Sequence, residues 1–165
     1  MRTHTLIDSP LGQLTVVSEA GALVGLYFEG HKRGPSVEAL GARTDEGFEE
    51  VRQQLTEYFA GERLEFDLPI APQGNNFQRR VWALLAKIPY GETRSYGDLA
   101  KVLGDPAIAQ AVGAANARNP ISVIVPCHRV VAADGNLRGY AGGLDRKRYL
   151  LDLEEPLPEE SARLF

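Results

Sequence analysis

Cysteine appears once among the 165 residues, at position 127. A single thiol cannot close an internal disulfide, so the fold must rest on its core and its hydrogen bonds, and a reducing cytoplasm suits it. Histidine is scarce too: His4, His31 and His128 are the full set. With one cysteine beside them, cysteine-rich zinc ligation is excluded where a structural site wants four nitrogen or sulfur ligands, so no metal and no other cofactor is expected. No apolar run approaches the ~20 residues of a membrane span, and the opening MRTHTLIDSP has no apolar stretch of the signal-peptide kind. Internal repeats and low-complexity segments are absent as well.

What is present is ordinary in bulk and uneven in distribution. A chain of 165 residues, 44% hydrophobic and 24% charged, can bury a sizeable core without staples. The net charge of −4 conceals a division. From Met1 to Asn76 there are 6 basic and 12 acidic residues, whereas from Phe77 to Glu154 there are 11 and 7. The half that carries the cysteine is therefore basic, which favours an anionic partner there.

Periodicity gives two units, 1–74 and 75–165. His4–Ile7, Leu14–Val17 and Ala22–Phe28 alternate and are separated by turn residues, which predicts an antiparallel sheet. Gly30–Gly47 reads as a loop. Phe48, Val51, Leu55 and Phe59 recur at helical spacing, and Gly61 ends that helix. Arg63–Asn76, with two prolines, reads as a short strand and a linker. Asn75 and Asn76 are candidate caps for a helix carrying Phe77, Val81, Leu84, Leu85 and Ile88, stopped at Pro89. Ser95 can cap Tyr96–Leu103, and Asp105-Pro106 opens Ala107–Ala117. Two short helices joined by Gly104-Asp105 resemble a helix-turn-helix. Ile121–Val125 is a β-branched run, read as a strand leading to Cys127. Asp134-Gly135-Asn136 is a turn, and Leu144–Glu154 is a final helix. The fold expected is α+β: a small α/β domain with an antiparallel sheet and a helix, then a mostly helical domain.

The chemistry gathers around IVPCHRVV, residues 124–131. A free thiol is only slightly ionised at neutral pH and needs a base or a positive charge beside it. His128 and Arg129 follow Cys127 directly, although neighbours on an extended chain point apart, so a turn or a water is needed to bring the imidazole to the sulfur. Glu154 shares a face of the last helix with Lys147, Leu150 and Leu151. A carboxylate on an apolar face needs a partner. Cys127, His128 and Glu154 thus make a nucleophile, a base and an orienting acid. The alternative is a buried structural cysteine beside a satisfied core histidine. Pairing with an ionised Glu154 is expected to raise the pKa of His128.

VPCHRV, together with IPYGETRSYGDLA, AVGAANARNP and GYAGGLDRKRYLLDLE in that order, resembles the O6-alkylguanine-DNA alkyltransferases, also called methylated-DNA–protein-cysteine methyltransferases. The likeness covers Phe77–Glu154, about half the chain. It implies that Cys127 accepts an alkyl group from O6-alkylguanine in double-stranded DNA, with O4-alkylthymine a second substrate, once per chain and after the nucleotide has left the stack. It implies that His128 takes the thiol proton through a bound water and that Glu154 orients the ring. Asn119 would tie the reactive turn to the helix-turn-helix. Tyr96 would help rotate the nucleotide and donate a proton to the departing guanine. Tyr140 with glycines 139, 142 and 143 would close over the base. Ala107, Gln110, Arg118, Ser122, Arg129, Val130 and Ala141 are placed at the DNA or the extruded base. Many members have arginine where this chain has Gln110, and some have serine where it has Ala141. The protein implied is a cytoplasmic monomer, for which cooperative binding along DNA is left open. Two other readings compete: a thiol hydrolase using Cys127, His128 and Glu154, and a lesion sensor, which in this family lacks the acceptor cysteine.

Overall fold

The computed structural model describes residues 1–30, 36–137, 140 and 142–155. Alternating apolar residues make the first 28 positions a meander. β1 (Arg2–Ser9), β2 (Gly12–Glu19) and β3 (Ala22–Phe28) pair antiparallel in chain order. Positive φ at both Ala20 and Gly21 gives the tight β2–β3 turn the twist that hairpins prefer. The expected loop contains a fourth strand: β4 (Ala42–Arg43) joins β1 in parallel, giving the order β3-β2-β1-β4. Residues 31–35 of that loop lie outside the described residues. The approach depends on Gly41, where a Cβ would sit 2.0 Å from the Arg2 carbonyl oxygen.

α1 (Glu49–Phe59) packs Val51, Gln54, Leu55 and Tyr58 inward. Phe59, expected on the inner face, is only half-buried, and Tyr58 takes its place. The strand expected in Arg63–Asn76 reduces to one bridge, Ile70 to Leu23, with Leu23 N–H donating to the Pro69 carbonyl and Ala71 N–H to the Leu23 carbonyl. Pro69 and Pro72 have no N–H to extend a ladder.

The second half is helical. α2 (Asn76–Leu85) opens on a reciprocal cap between Asn75 and Gln78. It ends before the expected Pro89, because Lys87 and Ile88 bond three residues back to Leu84 and Leu85. β5 (Arg94–Ser95) leads into α3 (Tyr96–Val102), which Ser95 caps with Asp98. Asp105 caps a 3-10 turn over Pro106–Ile108, so α4 (Ala109–Ala117) begins two residues later than expected. α3 and α4 pack on each other across the Gly104 turn. β6 (Val130–Val131) pairs in parallel with β5, and α5 (Leu144–Glu154) closes the domain. Among the described residues no helix is long and apolar enough to cross a membrane.

The halves meet along β3. Its outer edge receives both the linker bridge and a bridge from Leu26 to Ile121, with Leu26 N–H donating to the Pro120 carbonyl at 2.8 Å. The sheet edge thus fixes the start of the segment that carries the cysteine.

Candidate active site

Ile121–Val125 is not the strand expected. Apart from the single bridge at Ile121 it runs as a turn, with Val123 at φ +73. A β-branched residue in the left-handed region is strained and persists only where its surroundings dictate it. Asn119 supplies that constraint. Its Nδ2 donates to the Val125 carbonyl at 2.8 Å, and its Oδ1 accepts from Ile121 N–H at 3.0 Å. One amide therefore does for this turn what a partner strand would do for a strand. Pro126 follows, and Cys127–Arg129 form one turn of 3-10 helix. Asn116 of α4 donates to the Cys127 carbonyl at 3.4 Å, which ties the turn to the second helix of the α3–α4 pair.

The 3-10 turn places His128 where an extended chain could not. Its ring is fully buried, and Nε2 lies 2.8 Å from Glu154 Oε2. Burial pushes His128 below the ordinary imidazole value, against the upward pull of the Glu154 hydrogen bond and charge. The expected rise is thus overturned: desolvation outweighs the carboxylate. The neutral ring donates Nε2–H to Glu154, which leaves Nδ1 as a lone-pair acceptor. Nδ1 is buried and makes no hydrogen bond to the protein.

Glu154 is the hub. Burial alone would raise its pKa, but hydrogen bonds from His128 and Arg129, and their charges, bring it down to about 2. Arg129 grips it with Nε at 2.8 Å and Nη2 at 2.9 Å. A further donor comes from the other half of the chain: Tyr58 OH reaches Oε2 at 2.5 Å.

Cys127 is 4% exposed. Burial raises its pKa, opposed by the Asn119 side chain, the Lys147 charge and the Ser122 hydroxyl. The resting group is a protected thiol, poised rather than ionised. Lys147 is completely buried and donates from Nζ to the Val130 carbonyl at 2.6 Å. Desolvation lowers its pKa to about 8, offset in part by Cys127, so it stays cationic at neutral pH and favours a thiolate. Tyr140 closes this side. Its hydroxyl is buried near Cys127 and Ser122, its ring is 6.0 Å from that of Phe28, and its pKa is held well above the ordinary value by burial and by Cys127. Gly142 is close-packed there, since a Cβ would come within 2.5 Å of the Phe28 ring.

The expected site residues therefore divide. Cys127, His128, Glu154, Asn119, Ser122 and Tyr140 come together. Tyr96 is half-buried at the first turn of α3, its ring 3.7 Å from where a Cβ on Gly113 of α4 would stand. Ala107, Gln110 and Arg118 are exposed on the segment from the 3-10 turn to the end of α4. Two expected DNA contacts lie inside the protein. The Arg129 guanidinium is buried between Glu154, the Ile88 carbonyl at 2.6 Å and the Tyr90 ring. The Val130 side chain is fully buried and its carbonyl is held by Lys147, so it presents no side chain to a ligand. Ala141 and Gly139 lie outside the described residues.

Sequence reasoning overlooked Lys147, Asn116 and Tyr58. Lys147 was visible, three residues before Leu150 and seven before Glu154 on one helical face. Tyr58 stands seven residues after Val51 and three after Leu55, the spacing of an inner position. Asn116 carried no local signal.

A buried thiol in one turn with a neutral imidazole that is held by an ionised acid, in a basic half that also carries a helix-turn-helix pair, fits a DNA-binding protein whose chemistry centres on a cysteine. Residues 76–156 match the family model described as 6-O-methylguanine DNA methyltransferase, DNA binding domain, and residues 3–72 match its ribonuclease-like domain. The chain belongs to the 6-O-methylguanine DNA methyltransferase family. It is 46% identical over 151 residues to the methylated-DNA–protein-cysteine methyltransferase of Methanosarcina acetivorans, covering 92% of this chain and 97% of that protein. Its identity to the Mycobacterium tuberculosis methyltransferase of the same description is 48% over 167 residues, covering 98% of each. The crystal structure of M. tuberculosis O6-methylguanine methyltransferase superposes with a TM-score of 0.87 at 43% identity over the full length of both chains. The M. tuberculosis protein in complex with DNA gives 0.86 at 49% identity over 92% of each.

Proposed function

We propose that this methylated-DNA–protein-cysteine methyltransferase repairs DNA by taking the alkyl group of O6-alkylguanine onto Cys127, once per chain. The observation that carries this reading is the buried Cys127 in one 3-10 turn with His128, whose ring lies 2.8 Å from Glu154, inside a family DNA-binding domain and tied to α4 through Asn116. An alkyl group on a stacked base is out of reach of a thiol that is 4% exposed, so the nucleotide must leave the duplex and Tyr140 must give way. Gln110 on α4 and Arg118 at its C-terminal cap are both exposed and would hold the opened duplex, with Gln110 able to hydrogen-bond an orphaned cytosine but bringing no charge.

In the reaction the thiol proton passes to His128 Nδ1 through one water, and Lys147 stabilises the sulfur anion. Sulfur attacks the alkyl carbon in line. The S–C bond forms as the C–O bond breaks, and the electron pair leaves with the guanine oxygen. A proton delivered to guanine by Tyr96 neutralises it. The proton held on His128 then returns to Tyr96 through solvent, so the net change moves the thiol proton to guanine and leaves a thioether. No neighbouring group can reverse a thioether, so the chain is consumed; a reducing cytoplasm keeps the acceptor free.

O4-alkylthymine presents the same leaving oxygen and is the second substrate to test. A thiol hydrolase would use the same three residues but would turn over. Titrating the protein with methyl-labelled O6-methylguanine duplex should transfer one label per chain and then stop. Cys127→Ser should transfer none while still binding DNA, because a hydroxyl cannot supply the anion. Continued release of product beyond one equivalent, or transfer by the serine variant, would overturn the reading.

A further inference from the structure

Glu154 Oε2 has more donors than one relay needs. It accepts from His128 Nε2 at 2.8 Å, Arg129 Nη2 at 2.9 Å and Tyr58 OH at 2.5 Å. Two of these come from the reactive turn. The third comes from α1, 96 positions earlier in the chain and in the ribonuclease-like half. Tyr58 is fully buried, packed against Phe59, Phe66 and Tyr90. We infer that Tyr58 is a positioning residue of the relay: its hydroxyl occupies part of the shared Glu154 oxygen and so limits how strongly that oxygen holds His128.

The three donors on Glu154 Oε2 compete. A carboxylate oxygen that accepts a short, charge-assisted bond gives up proton affinity. The less basic it is, the less it stabilises a proton on the imidazole behind it. Burial and the Glu154 charge push the Tyr58 phenol far above its ordinary value, so it remains a donor at every working pH. The other groups facing the pair act differently. Arg129 holds both carboxylate oxygens, Lys147 of α5 disfavours charge on His128, and Tyr90, in the loop after α2, stands near Glu154 and Arg129. Tyr58 is thus a direct contribution of the N-terminal half to the chemistry of the C-terminal half. A helical domain alone would keep all three reacting side chains and lack this donor.

Tyr58→Phe in the full chain removes the hydroxyl and keeps the ring. With histidine ring carbons labelled, only three resonances need assignment, and substituting His4 and His31 identifies His128. In Tyr58→Phe the His128 titration should move up by about half a pH unit or more. The rising limb of transfer rate against pH should move with it, while rates at high pH converge on those of the parent. A merely structural role would lower the rate evenly at all pH values. An even loss, an unmoved His128 titration or a downward shift each overturns the inference. If the phenylalanine variant does not fold, the parent protein carries the test. A phenol held at 2.5 Å should give a protected, strongly downfield hydroxyl proton that shifts as His128 titrates, and its absence or indifference is fatal to the proposal. The rate arm rests on Cys127 as alkyl acceptor. If the parent transfers no methyl group, that reading fails while the His128 titration still decides the role of Tyr58.

Discussion

The sheet β1–β3 and the turn from Asn119 to Arg129 satisfy their backbones in opposite ways. In the sheet each strand answers the next, and the side chains are left free to fill a core with Leu14, Val16, Leu26 and Phe28. In the turn, side chains answer the backbone: Asn119 bonds to Ile121 and Val125, Asn116 to Cys127, Arg129 to Ile88 and Lys147 to Val130. A ladder tolerates exchange of one apolar residue for another. A turn built from single side chains fixes one geometry and fails when one is lost. That geometry fixes where the thiol sits, and the difference explains why buried polar residues concentrate there.

Breaking the hub should show this most strongly. Glu154→Gln leaves Arg129 buried without its ion partner, which costs about 3–5 kcal/mol. It also releases His128 from its tautomer, so transfer should slow by roughly 100-fold. Urea denaturation and single-turnover kinetics measure the two effects, and a variant equal to the parent in both would remove Glu154 from the relay.

Leu14→Ala in the sheet should cost about 2–5 kcal/mol by leaving a cavity, yet the surviving folded molecules should transfer at the parent rate. Asn119→Ala should cost about 2–3 kcal/mol by orphaning buried backbone groups, and it should slow transfer per folded molecule as well. Equal rates for both variants would erase the distinction.

Acid should act on the turn before the sheet. His128 titrates below its unfolded value of 6.5 and Glu154 at about 2 against 4.5 unfolded. In both cases the unfolded chain binds more protons, so stability falls as pH falls. The loss begins below about 6.5 with His128 and deepens below about 4.5 with Glu154, until the latter is complete near 2. Urea midpoints measured down this range should decline in the parent, and the part of the decline below about 4.5 should be missing in Glu154→Gln.

The smallest effect lies on the exposed face of α4. Gln110→Arg should tighten DNA binding, and each phosphate newly neutralised should steepen log affinity against log salt by about 0.9. A tighter complex with unchanged slope would instead place the arginine inside the stack, against neighbouring bases. No change in affinity would mean that Gln110 does not face DNA.

How far the fold was legible follows the same division. The caps at Asn75, Ser95 and Asp105 and the extent of Leu144–Glu154 are local matters, and local patterns were enough to find them. Ile121–Val125 misled because β-branched residues favour strands, whereas the side-chain amide of the preceding Asn119 overrides that preference. Arg129 was placed at the DNA with the other residues the resemblance implies; its pairing with Glu154 depends on which groups share its burial, which no local pattern records. The same burial reversed the expected direction for His128. The pairing of His128 with Glu154 in the turn of Cys127 was readable because such groups are sparse and ordered along the chain. The contribution of Tyr58 was not, because it crosses from one half of the chain to the other.

The central claim is that the thiol of the turn is the final resting place of the alkyl group. Intact and peptide mass measurement after mixing with an excess of O6-methylguanine duplex tests it directly. The account predicts a gain of one CH2 in every chain, confined to the peptide bearing Cys127, with no further gain at longer times. An unmodified chain beside repaired DNA, or a methyl group on any other residue, would contradict it.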